Sequence, residues 1–274
     1  MIGAFVIAFR EVIEAGLIVG IVLAATRGLA GARSWIALGI AGGLAGAALL
    51  ALFAERISDS FEGTGQDILN AAVLILAVLM LVWHNTWMSR HGRELAGDLR
   101  ATGDAVRRGD RTLAALAIVV GAAILREGAE LVLFLYGLVA SGTSGPELQL
   151  GALLGVGVGV AVSGISYLGL SAIPTRYVFS VTSALIVLLA AGLAAQAAQF
   201  LSNAGLLTVL GQTLWNTSAL LPEGSLPGRV LHALVGYTDR PSALQVATYL
   251  GTILVMVGLM QWSSASRPQA VRTA

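Results

Sequence analysis

The chain has 274 residues, of which 57% are hydrophobic and 11% charged, with a mean hydropathy of +0.84 and a net charge of +1. Soluble domains carry about 25% charged residues, so this composition excludes a soluble globular fold and describes an integral membrane protein; 34 glycines beside 6% aromatics suit closely packed helices better than a barrel of short strands. No cysteine is present, which excludes disulfides, thiolate metal sites, iron–sulfur clusters and thiol catalysis, so a metal would be held by oxygen or by the three histidines.

Seven apolar segments reach the roughly 20 residues needed to cross a bilayer: 2–25, 34–54, 67–88, 112–140, 148–170, 178–201 and 243–262. The first holds Arg10-Glu11-Val12-Ile13-Glu14, an R-E-x-x-E pattern in mid-segment. It lacks the basic leading region of a signal peptide and reads as a retained helix. The second carries small residues at helical spacing, Gly39, Gly43 and the Gly42/Gly46 pair, which suit close helix contact. Glu55, Asp59, Glu62 and Asp67 follow, either drawing cations to an external entrance or standing as solvated loop charge.

In the third segment Asn70 lies deep, while His84 and Asn85, flanked by Trp83 and Trp87, read as an interfacial aromatic belt. Residues 89–111 form an Arg-rich amphipathic stretch, expected as a cytoplasmic helix on the anionic leaflet surface. The fourth segment repeats the first pattern as Arg126-Glu127-Gly128-Ala129-Glu130, and the fifth repeats the glycine spacing at Gly151, Gly155 and Gly159. Gln196 and Gln199 in the sixth, like Asn70, either bond between helices or line an ion path. The connection 202–242 has apolar runs at 206–221 and 229–236 that suit short interfacial or re-entrant helices. Residues 1–262 thus read as one transmembrane domain, with 263–274 as a tail.

All sixteen basic residues are arginine, and their placement sets orientation. Arg27, Arg33, Arg90, Arg93, Arg100, Arg107, Arg108, Arg111, Arg176, Arg267 and Arg272 fall on one side, against Arg56, Arg229 and Arg240 on the other. The positive-inside rule then predicts an N-terminus outside, 202–242 external and a cytoplasmic tail. With R-E-x-x-E in spans one and four, spans 1–3 and 4–6 read as a unit of three repeated with inverted topology, plus one extra helix, which places a site near the midplane between the repeats.

On a helix the Arg and the last Glu of the pattern stack at i, i+4, and the middle Glu lies roughly 60° around the axis, so all three share a face. Each such charge carries about 2.5–3.5 kcal/mol at mid-membrane if left unpaired. Locking two helices needs one Arg–Glu pair, whereas each motif has a carboxylate in excess. The two motifs together sum to −2, the charge that one divalent cation neutralises. Oxygen ligands with no histidine nearby in sequence suit Fe, Mn or Mg-like ions over Zn or Cu. No P-loop, serine-hydrolase elbow or H-E-x-x-H helix is present, so nucleotide-driven pumping, serine hydrolysis and zinc proteolysis have no candidate residues.

Two R-E-x-x-E motifs in the first and fourth of seven spans resemble the high-affinity iron permeases. The likeness extends to the stretch from Met80 to Glu94 around Trp83-His84-Asn85-Thr86-Trp87, to Trp215-Asn216-Thr217-Ser218, and to the stretch from Leu231 to Pro241. The resemblance implies an all-α, seven-span permease of a bacterial inner membrane that imports iron, with Glu11, Glu14, Glu127 and Glu130 as translocating carboxylates supported by Arg10 and Arg126. Iron is then the cargo and no cofactor is expected; periplasmic iron-binding or oxidase partners are implied, and no nucleic acid. Lead or manganese transport, export, and an intramembrane di-iron ferroxidase are the alternatives.

Overall fold

A computed structural model describes residues 1–59, 66–169 and 175–265, with the side chains of residues 54–59, 89–90, 92–93, 175–179, 226, 233–234 and 263–265 left aside. Its helices, in chain order, are α1 (Ile2–Ala25), α2 (Ala32–Asp59), α3 (Gln66–Arg108), α4 (Ala114–Ala140), α5 (Gly145–Tyr167), α6 (Thr175–Asn203), α7 (Leu226–Val235) and α8 (Ala243–Ala265). Among the described residues there is no strand, only one isolated bridge between Thr213 and Ser242. This is the all-helical fold expected of the composition. Segments of α2, α3, α5, α6 and α8 are long and apolar enough to cross a membrane. α1 and α4 match the others in length but each carries three charged residues mid-helix. The outward faces are those of a multi-pass membrane protein, with Leu44, Leu153 and Leu254 at 57%, 71% and 73% exposure where a soluble protein would be polar.

Two features of the connections differ from the sequence reading. The predicted break between a third span and a separate surface helix is absent: α3 runs 43 residues without interruption. At 1.5 Å per residue it is about 65 Å long, twice the hydrocarbon thickness. No proline interrupts it, and its far half keeps a reason to stay helical because Leu99 and Val106 pack with Ile18, Val22, Ile36, Leu116 and Val120. The amphipathic face therefore covers the ends of α1 and α4. It ends at Gly109, whose φ of +84° suits glycine. In the 202–242 connection, 206–221 is not helical, and the single short helix is α7. Ser225 Oγ caps it by accepting from the Gly228 amide at 3.1 Å, and Gly236 closes it in the left-handed region. Gly236 also meets Gly192 of α6, where a methyl on Gly192 would stand 2.7 Å from the Gly236 Cα.

The predicted close packing is found at Gly39, Gly43, Gly46, Gly151, Gly155 and Gly159, between helices that are distant in sequence, whereas Gly42 meets nothing within 4 Å. A methyl at Gly39 would meet the Ala117 carbonyl at 2.6 Å, and one at Gly43 the Gly121 carbonyl at 2.7 Å, so α2 lies backbone to backbone on α4. Gly151 faces the Met1 carbonyl, Gly155 the Phe5 carbonyl and Gly159 the side chain of Val12, so α5 lies the same way on α1. The Gly128–Ala47 contact completes a matching set: 39 with 117, 43 with 121 and 47 with 128 on one side, 151 with 1, 155 with 5 and 159 with 12 on the other. One offset converts α2 into α5 and another converts α4 into α1.

Two apolar clusters fill the interior. One holds Ala4, Ile7, Leu74, Ala77, Leu81, Phe134, Ile186, Ala190, Leu193 and Met256; the other is the Ile18 to Ile124 group covered by α3. Along α1, residues 10–14 fall between Ile7 of the first cluster and Ile18 of the second. Along α4, residues 126–130 fall between Ile124 and Phe134. Both motifs thus lie in one polar layer between two dry ones.

Candidate metal centre

Within that layer the helical spacing produces the same local pair twice. Arg10 Nε lies 2.9 Å from Glu14 Oε1, and Arg126 Nε lies 3.0 Å from Glu130 Oε1, each one turn apart. Arg10 Nη1 also approaches Glu11 Oε1 at 3.5 Å. The two arginines differ in setting. Arg10 is enclosed, whereas Arg126 is 30% exposed and lies over the Trp87 ring at 4.5 Å, with Trp83 at 5.8 Å. The four glutamates are all buried.

His84 joins the motifs. Its Nε2 lies 3.1 Å from Glu14 Oε2, its Nδ1 is against Glu130 Oε2, and Arg126 Nη2 donates toward the same Nδ1 at 3.4 Å. The ring has no exposed surface. This corrects the expectation that no histidine stands near the motifs and that His84 belongs to an interfacial belt. The signal was present in the spacing: Leu74, Ala77, Leu81 and His84 recur at three- and four-residue steps and all are fully buried, so they form the inward stripe of α3. Trp83, one residue away, is 52% exposed and faces outward. Asn85 is also buried, accepting from Ser183 Oγ at 3.1 Å and donating to Met260 Sδ at 3.3 Å.

Glu11, His84, Glu127 and Glu130 each offer one ligand atom, and all four atoms lie within 4.8 Å of one another. Donors around one ion at about 2.1 Å lie at most ~4.2 Å apart, so a contraction of about half an ångström would close the set. Both oxygens of Glu11 and one of Glu127 are buried with no hydrogen-bond donor. Leaving a carboxylate so placed costs several kcal/mol unless a cation answers it, and the two arginines offset only two of the four negative charges. What the arrangement can do is bind a divalent cation.

Of the other residues singled out from sequence, few approach the centre. Asn70 is fourteen residues before His84 on one helix, about 21 Å along the axis. Gln196 Nε2 donates to the Ser141 carbonyl at 2.9 Å, tying α6 to the end of α4, which is the interhelical role. Gln199 bonds to Asn203 on its own helix. Asp67 sits in the first turn of α3. Glu62 lies outside the described residues, as do the side chains of Glu55 and Asp59.

The sequence signature of the iron permease FTR1 family matches residues 1–265. The chain belongs to that family. Among similar proteins, the ferrous iron permease EfeU of Escherichia coli O6:H1 is 33% identical over 250 residues, covering 89% of this chain and 90% of its own length. The EfeU of Shigella sonnei is 32% identical over 249 residues with the same coverage, and that of Shigella flexneri is 31% identical over 204 residues, covering 74% and 86%. No solved structure matches this family member.

Proposed function

We propose that this protein is an iron importer of a bacterial inner membrane, passing the ion through a single site built from both R-E-x-x-E motifs. The observation that carries the reading is the convergence of Glu11, Glu127, Glu130 and His84 from three helices onto one buried, electron-rich point, with carboxylate oxygens left without donors. Family membership supports iron as cargo, and the relatives' description as ferrous iron permeases supports the divalent ion. Seven spans follow if α1 and α4 cross with their charges turned inward onto each other. The arginine distribution then puts the N-terminus outside and the tail in the cytoplasm. The matched registers of α2 on α4 and α5 on α1 support a 3+3 repeat with α8 as the extra helix.

In this reading the glutamates replace part of the ion's hydration shell at mid-membrane. Arg10 and Arg126 hold Glu14 and Glu130 in place between passages. The four-residue donor set and its span suit one ion, where a di-iron oxidase needs two ions about 3.5–4 Å apart and more ligands. The test is iron(II) uptake by proteoliposomes containing the wild type, Glu127→Gln and Glu130→Gln, run beside manganese and lead. Uptake falls at least about tenfold in each variant, the consequence of losing roughly 1.4 kcal/mol or more of ion stabilisation. Normal uptake in both variants would overturn the site, and oxygen-dependent oxidation with two irons bound per chain would turn the reading to the ferroxidase.

A further inference from the structure

Glu14 and Glu130 occupy the same position in their motifs, yet their surroundings differ. Glu14 has both oxygens engaged, Oε1 with Arg10 Nε at 2.9 Å and Oε2 with His84 Nε2 at 3.1 Å. It stands outside the group of atoms that converge on one point. Glu130 gives Oε1 to Arg126 and turns Oε2 to the other ring nitrogen, Nδ1, in the company of Glu11 and Glu127. The imidazole therefore has one nitrogen tied outward to Glu14 and the other aimed into the centre.

We propose that His84 is itself an iron ligand through Nδ1, and that Glu14 is a positioning residue which accepts the Nε2 proton and so sets the ring's tautomer and direction. The inference deepens the proposed function and rests on it. A metal-bound histidine that passes its other N–H to a carboxylate is the usual way a ligating ring is oriented, and Arg10, Glu14 and His84 form such a chain leading to the centre. Nδ1 is bordered by the second motif alone, with Glu130 Oε2 against it and Arg126 Nη2 at 3.4 Å, so an ion held by Glu127 and Glu130 meets this nitrogen and not Nε2. The ring cannot turn away, because it is enclosed on the same stripe as Leu81 and Ala77. Two motifs that look equivalent thus do inequivalent jobs: the second supplies Glu127 and Glu130 as ligands, the first supplies Glu11 as ligand and Glu14 as the ring's anchor. Three oxygens and one imidazole nitrogen favour a first-row transition ion over Mg or Ca, which prefer all-oxygen shells.

The test uses Mn(II), added alone to the detergent-purified full chain carrying 15N only in histidine, and reads nitrogen coupling by pulsed paramagnetic resonance. Coupling to a single 15N imidazole nitrogen is expected in the wild type and in Glu14→Gln, and its loss in His84→Gln. Glu14→Ala weakens Mn(II) binding about 10–100-fold, and Glu14→Gln, whose amide oxygen still accepts the Nε2 proton, recovers most of that loss. Mn(II) bound by a transport-competent wild type without nitrogen coupling would overturn the inference and leave the proposed function standing, and coupling that persists in His84→Gln would do the same. Should His84→Gln fail to fold, the labelled wild type alone decides. Absence of both Mn(II) binding and iron uptake in the wild type would instead overturn the proposed function.

Discussion

Replacing Arg10 by methionine keeps length and bulk while removing one buried cation, and the structure sets the size of the effect. The centre holds four carboxylates and two guanidiniums, so its formal charge goes from −2 to −3. Arg10 is 2% exposed and ion-paired with Glu14 at 2.9 Å, and removing one member of a buried pair typically costs about 3–5 kcal/mol. Arg126 is 30% exposed and keeps its distance from water partly through Trp87, so Arg126→Met costs less, about 1–2 kcal/mol. At roughly 2–4 °C per kcal/mol for a chain of this size, Arg10→Met lowers the thermal midpoint by about 6–20 °C and Arg126→Met by a few degrees. A divalent ion bound at a hundred times its Kd adds about 2.7 kcal/mol, and the more negative Arg10→Met site gains at least as much as the wild type. The assay is tryptophan-fluorescence melting of detergent-purified protein with and without Mn(II). An Arg126→Met loss equal to or larger than that of Arg10→Met, or an Arg10→Met midpoint that Mn(II) leaves unmoved, would refute the charge accounting.

Two further outcomes are expected. Gly43→Ala and Gly155→Ala each press a methyl onto a facing backbone carbonyl and destabilise by about 1–3 kcal/mol, whereas Gly42→Ala meets nothing within 4 Å and gains up to about 1 kcal/mol of helix propensity; the same melting assay ranks them, and equal losses at Gly42 and Gly43 would contradict the interface. Iron uptake falls as the external pH drops from about 7 to about 5, because the carboxylates must be deprotonated to ligate and protons compete for the same oxygens; uptake that is flat over this interval in proteoliposomes would rule out carboxylate ligands.

Long apolar runs made the helices readable in the sequence, since a bilayer-length segment has few alternatives. Doubled motifs made half the centre readable, because i, i+4 stacking is a local property and both Arg–Glu pairs formed as drawn. Long-range geometry was the part that local reasoning missed. His84 sits 70 residues from Glu14 and 46 from Glu130, and its tryptophan neighbours argued for an interface; only the stripe through Leu74, Ala77 and Leu81 pointed it inward. The same cause hid the length of α3. Its basic half looks like a surface helix until Leu99 and Val106 are seen to find partners on α1 and α4. Gln196 fell to the plainer of its two readings because the Ser141 carbonyl lies within reach.

The glycine-lined contacts have a consequence for how the chain is made. α1 leans on α5 and α4 leans on α2, so each charged helix finds its close-fitting mate in the opposite half. Synthesis reaches the end of α5 about 140 residues after α1 is complete, an interval on the order of ten seconds at ordinary ribosomal speeds. Through that interval the first helix, with its three charges, stays without its partner helix. The centre itself cannot close before α4 emerges, about 115 residues after α1 is complete, so the insertion machinery or an early liaison with α2 and α3 must shelter Arg10, Glu11 and Glu14 until then.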